Sequence, residues 1–482
     1  MRGDGDKLFR LQGLEIFGDT ARPARRRRPA QTVHEPARDI PVFAEADVLV
    51  VGGGPAGVAA AIAAARLGAD VMLVERYNHL GGLSTGGLVI WIDRMSDWTG
   101  RHVIRGVAEE LMDRLPRGAR FGPPREAWGS RDEATAAYWT QRTAAFHGVV
   151  TWSPTIDPEW LKTACMDMVL EHKVRLVLHA WAVAPLADGP RIQGAIFESK
   201  EGRQAIRARV VVDASGDADL FARAGTTLDS DIDERDIHHC TNTAWLLGGV
   251  DMDRWIAFRT EDPKRFSDFM ARGRERLRFF EKPFVGWRND VALFMGPRLA
   301  GYSAVDVEDL TAVELRSRQL MIGHLEVYRA HAPGFEHAYL MLGAPQIGVR
   351  HSRRLRGLRR VTREQWDTAS VWDDEIGVSP SLSPRIPNIS VPYGSLVPVD
   401  LENILGPGRH ISCDPSSHTF LREIPQCWMT GQAAGVAAAL AAAGSTRLRD
   451  LDSRAIQREL LRQGAYLSPS IEAALRAPAV AR

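Results

Sequence analysis

Asp47-Val-Leu-Val-Val51 runs without a break into Gly52-Gly-Gly54-Pro55-Ala56-Gly57, and no other stretch of the chain limits its fold as much. A continuous run of β-branched and apolar residues predicts a strand buried on both faces, as in a parallel sheet. The Ala-rich stretch that follows predicts a helix ending at Gly68, and Asp70-Val-Met-Leu-Val74 predicts a second strand ending at Glu75. The order is therefore strand, G-x-G-x-x-G, helix, strand, with an acid 18 residues beyond the last glycine. In such a unit Gly52 permits the tight turn, Gly54 lets backbone approach a pyrophosphate, and Gly57 lets helix and strand pack closely. Pro55 and Ala56 open the helix, whose free N–H groups and positive dipole end face the phosphates. Glu75, with Arg76 beside it, is placed to accept hydrogen bonds from a ribose. The pattern predicts a dinucleotide cradle.

Composition narrows what surrounds this unit. The chain has 482 residues, room for two or three domains, with hydrophobic residues at 45% and charged residues at 25%. A formal charge of +1 excludes a whole-surface field that would recruit nucleic acid or an anionic membrane. The longest unbroken basic run, Arg25–Arg28, lies in a stretch with no interleaved aromatics, which predicts a solvated arm over residues 1–40. Cys165, Cys240, Cys413 and Cys427 form no CxxC, and His238-His239-Cys240 lacks ligand spacing, so neither a disulfide scaffold nor a metal site is expected. The most apolar stretches, Val58–Leu67 and Ala433–Ala443, fall short of the ~20 residues of a spanning helix, and no apolar leader is visible. The expected setting is cytoplasmic, without membrane or nucleic acid.

Three later segments separate FAD from NAD. They are His79-Leu-Gly81-Gly82-Leu83-Ser84-Thr85-Gly-Gly87, then Ala208-Arg-Val-Val-Val-Asp213-Ala214-Ser-Gly216-Asp217, and the pair Gly406-Pro-Gly408-Arg409-His-Ile-Ser412 and Thr430-Gly431-Gln432-Ala433-Ala-Gly435. With VVGGGPAG and Glu75, they make the chain resemble the FAD-dependent oxidoreductases of the glutathione-reductase structural group, the fumarate-reductase-like flavoproteins among them. The resemblance runs from residue 46 to about residue 465. It implies an α/β fold: a discontinuous Rossmann-like FAD-binding domain, 41–230 and 391–482, with an inserted β-rich α+β substrate cap over 231–390. It implies non-covalent FAD, with Gly81, Gly82, Leu83, Ser84 and Thr85 lining the flavin and Ala182, Asp213, Ala214, Gly216 and Asp217 by the phosphate and adenosine parts. Gly408 and Arg409 are implied beside the ribityl chain, and Thr430, Gly431, Gln432 and Ala433 at the start of a helix aimed at the flavin ring.

A flavin reaction needs a proton carrier near the hydride path. His418 suits that role by its ordinary pKa near ~6.5, with Tyr393 or His351 in reserve. Arg422 and Arg350 are candidates to clamp an electron-rich substrate group, and helical spacing would put Arg350, Arg353 and Arg354 partly on one face. Two further strands are expected, Arg175–Ala184 and Leu396–Pro398. The sequence predicts hydride transfer between a small organic substrate and flavin N5, with a separate electron carrier or O2 as the other partner. A flavin subunit of an electron-transfer complex, a flavin-dependent monooxygenase and an RNA-binding flavoprotein stand as alternatives, and a homodimer stays open. The missing CxxC argues against a dithiol reductase, and the lack of a second G-x-G-x-x-G unit argues against a separate NAD(P)H domain.

Overall fold

A computed structural model of the chain describes residues 17–18, 31–233 and 236–477. Arg25–Arg28 lie outside the described residues. Part of the expected free arm does pair, since Phe17–Gly18 run parallel to Leu299–Ala300.

The chain enters through strand β1 (Val42–Val51), turns at the glycines into helix α1 (Pro55–Arg66), and returns as β2 (Val71–Val74). After a long excursion come α2 (Pro158–Glu171) and β3 (Arg175–Val177). Asp157 caps α2 by accepting the Glu159 N–H at 2.9 Å, with Pro158 in the first turn, as its sequence predicts. A meander follows: β4 (Trp181–Asp188), β5 (Arg191–Ser199) and β6 (Gly202–Asp213). The single strand expected over Arg175–Ala184 is thus two, broken at His179, where φ is 58°. The break has a topological reason. β3 closes one edge of the sheet and β4 the other, so the chain must leave one and cross to the other.

Residues 231–390 were expected to be β-rich, but helices dominate them. A four-stranded antiparallel sheet is built from β7 (Trp245–Gly248), β8 (Phe284–Val285), β9 (Val291–Phe294) and β10 (Tyr339–Gly343), in the order β8-β9-β7-β10. Helices α3 (Met252–Glu261), α4 (Pro263–Leu277) and the 25-residue α5 (Val307–His331) pack with it. Their shared core is a knot of rings, Trp245, Trp255, Phe269, Phe294, Tyr328 and Phe335 among them. The hairpin β11 (Glu375–Ser379) and β12 (Ile389–Pro392) belongs elsewhere. It is tied to the C-terminal segment, where the Ser468 N–H donates to Glu375 Oε1 at 2.6 Å. A boundary at 390/391 would cut through β12, so it does not hold.

The last elements are β13 (Ile404–Leu405), α6 (Pro415–Leu421), α7 (Ile424–Gly444) and α8 (Ser453–Arg462). No strand forms at Leu396–Pro398; Tyr393–Ser395 make a 3-10 turn and Pro398 only a single bridge to Gly357. The large sheet runs β3-β2-β1-β6-β5-β4, with β13 also on β6. β6 divides one edge between two partners. Its first half pairs antiparallel with β5, while Val211 and Val212 pair parallel with Ile404 and Leu405. β1, β2, β3, β6 and β13 therefore all deliver their carboxyl ends to the same side. Under the sheet, α7 presses against α1. Cβ atoms at Gly431 and Gly435 would lie 2.1 Å from the carbonyl oxygens of Ala56 and Ala60. Among the described residues, no helix is long and apolar enough to cross a membrane.

Candidate functional site

Five parallel strands ending on one side leave their following loops to converge, the usual place for a ligand in an open α/β sheet. Those loops line one cleft of about 900 Å³, counting the space open to solvent. It begins at Gly52, Gly54, Pro55 and Ala56, passes Glu75, Arg76, Ala182, Ala214, Gly216 and Asp219, and reaches Gly82, Leu83, Gly408, Arg409 and Arg422.

At the first end, backbone geometry is dictated by glycine. Gly52 sits at φ +100°, and a Cβ at Gly57 would lie 1.7 Å from the Gly52 carbonyl oxygen. Glu75 braces this turn. Its carboxylate accepts the Gly53 N–H at 2.6 Å and the Tyr77 N–H at 2.8 Å. The Arg76 guanidinium lies over the rings of Tyr77 and Trp181, 4.9 and 5.5 Å from their centroids, which holds a cation at the cleft wall. The second glycine loop is stitched to the first, Gly81 N–H donating to Gly53 O at 2.8 Å. Ser84 and Thr85 do not line the cleft; their hydroxyls donate to Gly81 O and Leu80 O, both at 2.7 Å.

Asp213 and Asp217 also act from behind the wall. Asp213 accepts the N–H groups of Ser215 at 3.0 Å and Leu220 at 2.9 Å, shaping the 214–219 turn. Burial would raise the Asp217 carboxyl, but Arg409 at 2.9 Å and the Ser352 hydroxyl outweigh it and hold it below the usual range. Asp219, on the cleft wall, goes the other way. Burial and the charges of Asp217 and Asp213 raise it to about 6 against the pull of Arg353 at 2.7 Å.

The far end differs from the sequence expectation. Thr430, Gly431, Gln432 and Ala433 do not start a helix; α7 begins six residues earlier, at Ile424, with Pro425 in its first turn and no side-chain cap. Gly431 is the packing contact with Ala56, and Gln432 points to another face, accepting the Val107 N–H at 3.1 Å. Ala433 is core, and Thr430 supports the wall by accepting the Gly408 N–H at 3.1 Å. Ile424 and Cys427 line the cleft instead. Burial pushes the Cys427 thiol up to about 12, so it stays protonated.

Of the five candidate catalytic residues only Arg422 lines the cleft. It is partly buried, pairing with Glu423 at 3.1 Å, and its Nε has no hydrogen-bond partner among the described residues. His418 lies inside α6, fully buried, where Nε2 is 3.0 Å from Arg409 O; burial and the neighbouring His351 drive its pKa well below 6.5. An imidazole that meets a carbonyl there is neutral with Nε2–H donating. His351 stands edge-on between His239 and His418, at 5.1 and 4.9 Å, its pKa lowered to about 3 mainly by burial. The Tyr393 hydroxyl is engaged elsewhere, donating to Leu448 O at 2.9 Å, and burial raises its pKa. These groups are not poised for proton transfer near neutral pH.

Arg350, Arg353 and Arg354 do not share a helix face. Gly348–Val349 and Arg354–Leu355 are short strands, whose alternation sends neighbouring side chains apart. Arg353 pairs with Asp219 and Arg354 with Asp231, while Arg350 makes no ion pair among the described residues. Tyr77, Trp181, Gln346, Ile424 and Cys427 line the cleft without having been singled out. For Ile424 and Cys427 a signal existed, because Glu-Ile-Pro before an apolar run marks a helix start. Gln346 carries none; it arrives from the loop after β10.

Comparison with known proteins gives this geometry its class. The family model described as FAD dependent oxidoreductase matches residues 47–381 and 383–460, and the chain belongs to that family. It is an oxidoreductase, a flavoprotein with FAD as its cofactor. Among curated relatives, digeranylgeranylglycerophospholipid reductase 2 of Methanopyrus kandleri is 29% identical over 217 residues, 43% of this chain and 46% of that protein. Reductase 1 of the same organism is 29% identical over 230 residues, covering 46% and 50%. The match spans about half the length of these relatives. A dihydrolipoyl dehydrogenase of Vibrio cholerae is 54% identical over 81 residues, 17% of this chain and 16% of its own. A solved geranylgeranyl bacteriochlorophyll reductase-like protein of Thermoplasma acidophilum aligns over 90% of this chain and 92% of its own, at 13% identity and TM-score 0.42.

The cleft fits a dinucleotide. A Cβ at Gly54 would meet nothing within 4 Å, so the start of α1 faces open space. The first turn carries no side-chain cap and no acid, and the earliest backbone bond is Val58 N–H to Gly54 O. The donors of Ala56 and Gly57 are left for an anion.

Proposed function

We propose that FAD lies along the cleft without covalent attachment, its diphosphate at the start of α1, its adenosine beside Glu75, Arg76 and Ala182, and its ring between Leu83 and the start of α7. The supporting observation is the continuity of the cleft between two helix N-termini that no side chain caps. When bound, the cofactor takes or gives a hydride at N5. The chain does the rest. Gly52, Gly54 and Gly57 admit the diphosphate, and Gly216, Gly408 and Arg409 wall its middle, with Asp217 fixing Arg409. The N-terminus of α7 favours negative charge on the ring edge nearest it. Arg422, held by Glu423, orients an electron-rich group of a small organic substrate, and Arg350, whose charge acts on Arg422, is a candidate helper. Ser84, Thr85, Asp213, Thr430, His351 and His418 are positioning residues. His418 fixes the Arg409 carbonyl rather than moving a proton.

In this reading the sheet of β1–β6 and β13, with α1, α6, α7 and the β11–β12 hairpin, is a discontinuous Rossmann-like FAD-binding unit. The inserted region built on β7–β10 and α3–α5 is the substrate cap. The reductase names of the matched relatives support a reductive direction, with a separate electron carrier supplying electrons. The deciding experiment is a visible spectrum of the purified protein, followed by anaerobic titration with candidate donors and acceptors. An oxidised-flavin spectrum that bleaches with a donor and recovers with a small unsaturated substrate is the expected result. Recovery only with O2 would replace the reductive direction by an oxidase, and bleaching only by a partner protein would replace the whole reading by an electron-transfer subunit.

A further inference from the structure

Helix α5 has an inner and an outer problem. Inward, Val313, Leu320, His324 and Tyr328 are buried. Outward, Leu315 and Ile322 stand 62% and 47% exposed, seven residues apart on the solvent side. Seven residues further in each direction lie Glu308, in the first turn, and Arg329, in the last. At 3.6 residues per turn these four fall on one stripe, opposite the buried face. Arg318 and Glu326 beside the stripe have ion-pair partners, Glu314 at 3.9 Å and Arg276 at 2.8 Å. Glu308 and Arg329 have none among the described residues.

The neighbouring strand adds apolar surface. Among the described residues β10 is the edge of its sheet, paired with β7 alone, and Tyr339, Leu340 and Met341 are exposed. Its end borders the stripe, since a Cβ at Gly343 would lie 3.8 Å from the Arg318 guanidinium.

We propose that this face docks a second copy of the chain, α5 antiparallel to α5 about a two-fold axis between Arg318 and Gln319. The stripe is complementary to its own reverse. About that axis Leu315 meets the partner's Ile322 and Glu308 meets the partner's Arg329, and symmetry repeats both contacts. A parallel pairing in register would instead set Glu308 on Glu308 and Arg329 on Arg329. An uncharged apolar partner would leave both end charges unmatched. A 25-residue helix is about 37 Å long and about 10 Å wide, so with the flanking strand the strip reaches several hundred Å² per copy, the lower range of specific interfaces. The cleft is lined by none of these residues, so the surface is separate from the FAD site.

Sedimentation velocity on the FAD-loaded full chain, at up to about 50 μM, tests this. The wild type is expected to dimerise and Ile322→Asp to sediment as a monomer. Glu308→Arg should weaken the dimer about tenfold, through two like-charge contacts, and adding Arg329→Glu should restore it to within about twofold. Unchanged far-ultraviolet circular dichroism and thermal midpoint in each variant report an intact α5 layer, and the charge variants keep the test decisive if Ile322→Asp does not fold. A monomeric wild type, a dimer indifferent to Ile322→Asp, or a double swap that fails to restore association would each overturn the proposal.

Discussion

Helices α1 and α7 are built largely of alanine, and their backbones approach until Gly431 and Gly435 leave no room for a side chain beside Ala56 and Ala60. In the layer of α3, α4 and α5 the contacts are rings, with Trp255 alone within 6 Å of Phe258, Phe266, Phe269, Tyr328 and Phe335. The first core is thin because α1 must aim its start at the cleft while α7 packs behind it. The second packs large rings together and gains its stability from their apolar area. Added bulk should therefore harm one, and lost bulk the other.

Trp255→Ala should have the largest effect. Removing a fully buried indole leaves a cavity worth about 3–5 kcal/mol. Chemical denaturation should show the loss, while flavin absorbance persists at low denaturant because the cleft is built elsewhere. Simultaneous loss of flavin would break the distinction between the two regions. Gly435→Ala adds a single methyl against the Ala60 carbonyl and should cost about 1–3 kcal/mol. Here stability and FAD retention should fall together, since α1 must shift to make room.

Glu75→Gln tests the front of α1 rather than its back. The carboxylate accepts two backbone N–H groups, at 2.6 and 2.8 Å, and an amide turns one acceptor into a donor facing an N–H. FAD should bind about tenfold more weakly, measured by equilibrium dialysis, with little change in the aromatic layer's unfolding.

The same contrast explains what the sequence could tell. β1, α1 and β2 were legible because G-x-G-x-x-G between two apolar strands leaves one physical arrangement, and the Asp157–Pro158 helix start was legible for a local reason too. Thr430–Ala433 were misplaced because Gly431, expected at the flavin, is together with Gly435 where two helices meet; spacing alone does not separate the two uses of glycine. His418 was chosen by its ordinary pKa, and burial is a property of the folded chain that a residue's identity does not carry. The helical content of 231–390 was hidden because α5 is long but its charges alternate with apolar residues on both sides. Arg422 was legible as an arginine ahead of the long Ala-rich helix, though its place at the cleft depends on where α7 starts.

The smallest effect concerns charge at the cleft wall. Asp219 carries a folded-state pKa of about 6, raised from 3.8 by burial and by Asp217 and Asp213. A raised carboxyl pKa means the folded protein binds a proton that the unfolded chain releases, so the stability it contributes is present below pH 4 and is lost as pH rises through 6. The same ionisation adds a negative charge beside the path proposed for the diphosphate. FAD affinity should therefore fall by about two- to threefold between pH 5 and pH 7, and Asp219→Asn should flatten that step. Titrating FAD into apoprotein at both pH values reads the difference directly. Equal affinities in the wild type would place the diphosphate away from the 214–219 turn, and would leave the start of α1 as the chief anion site on that side of the cleft.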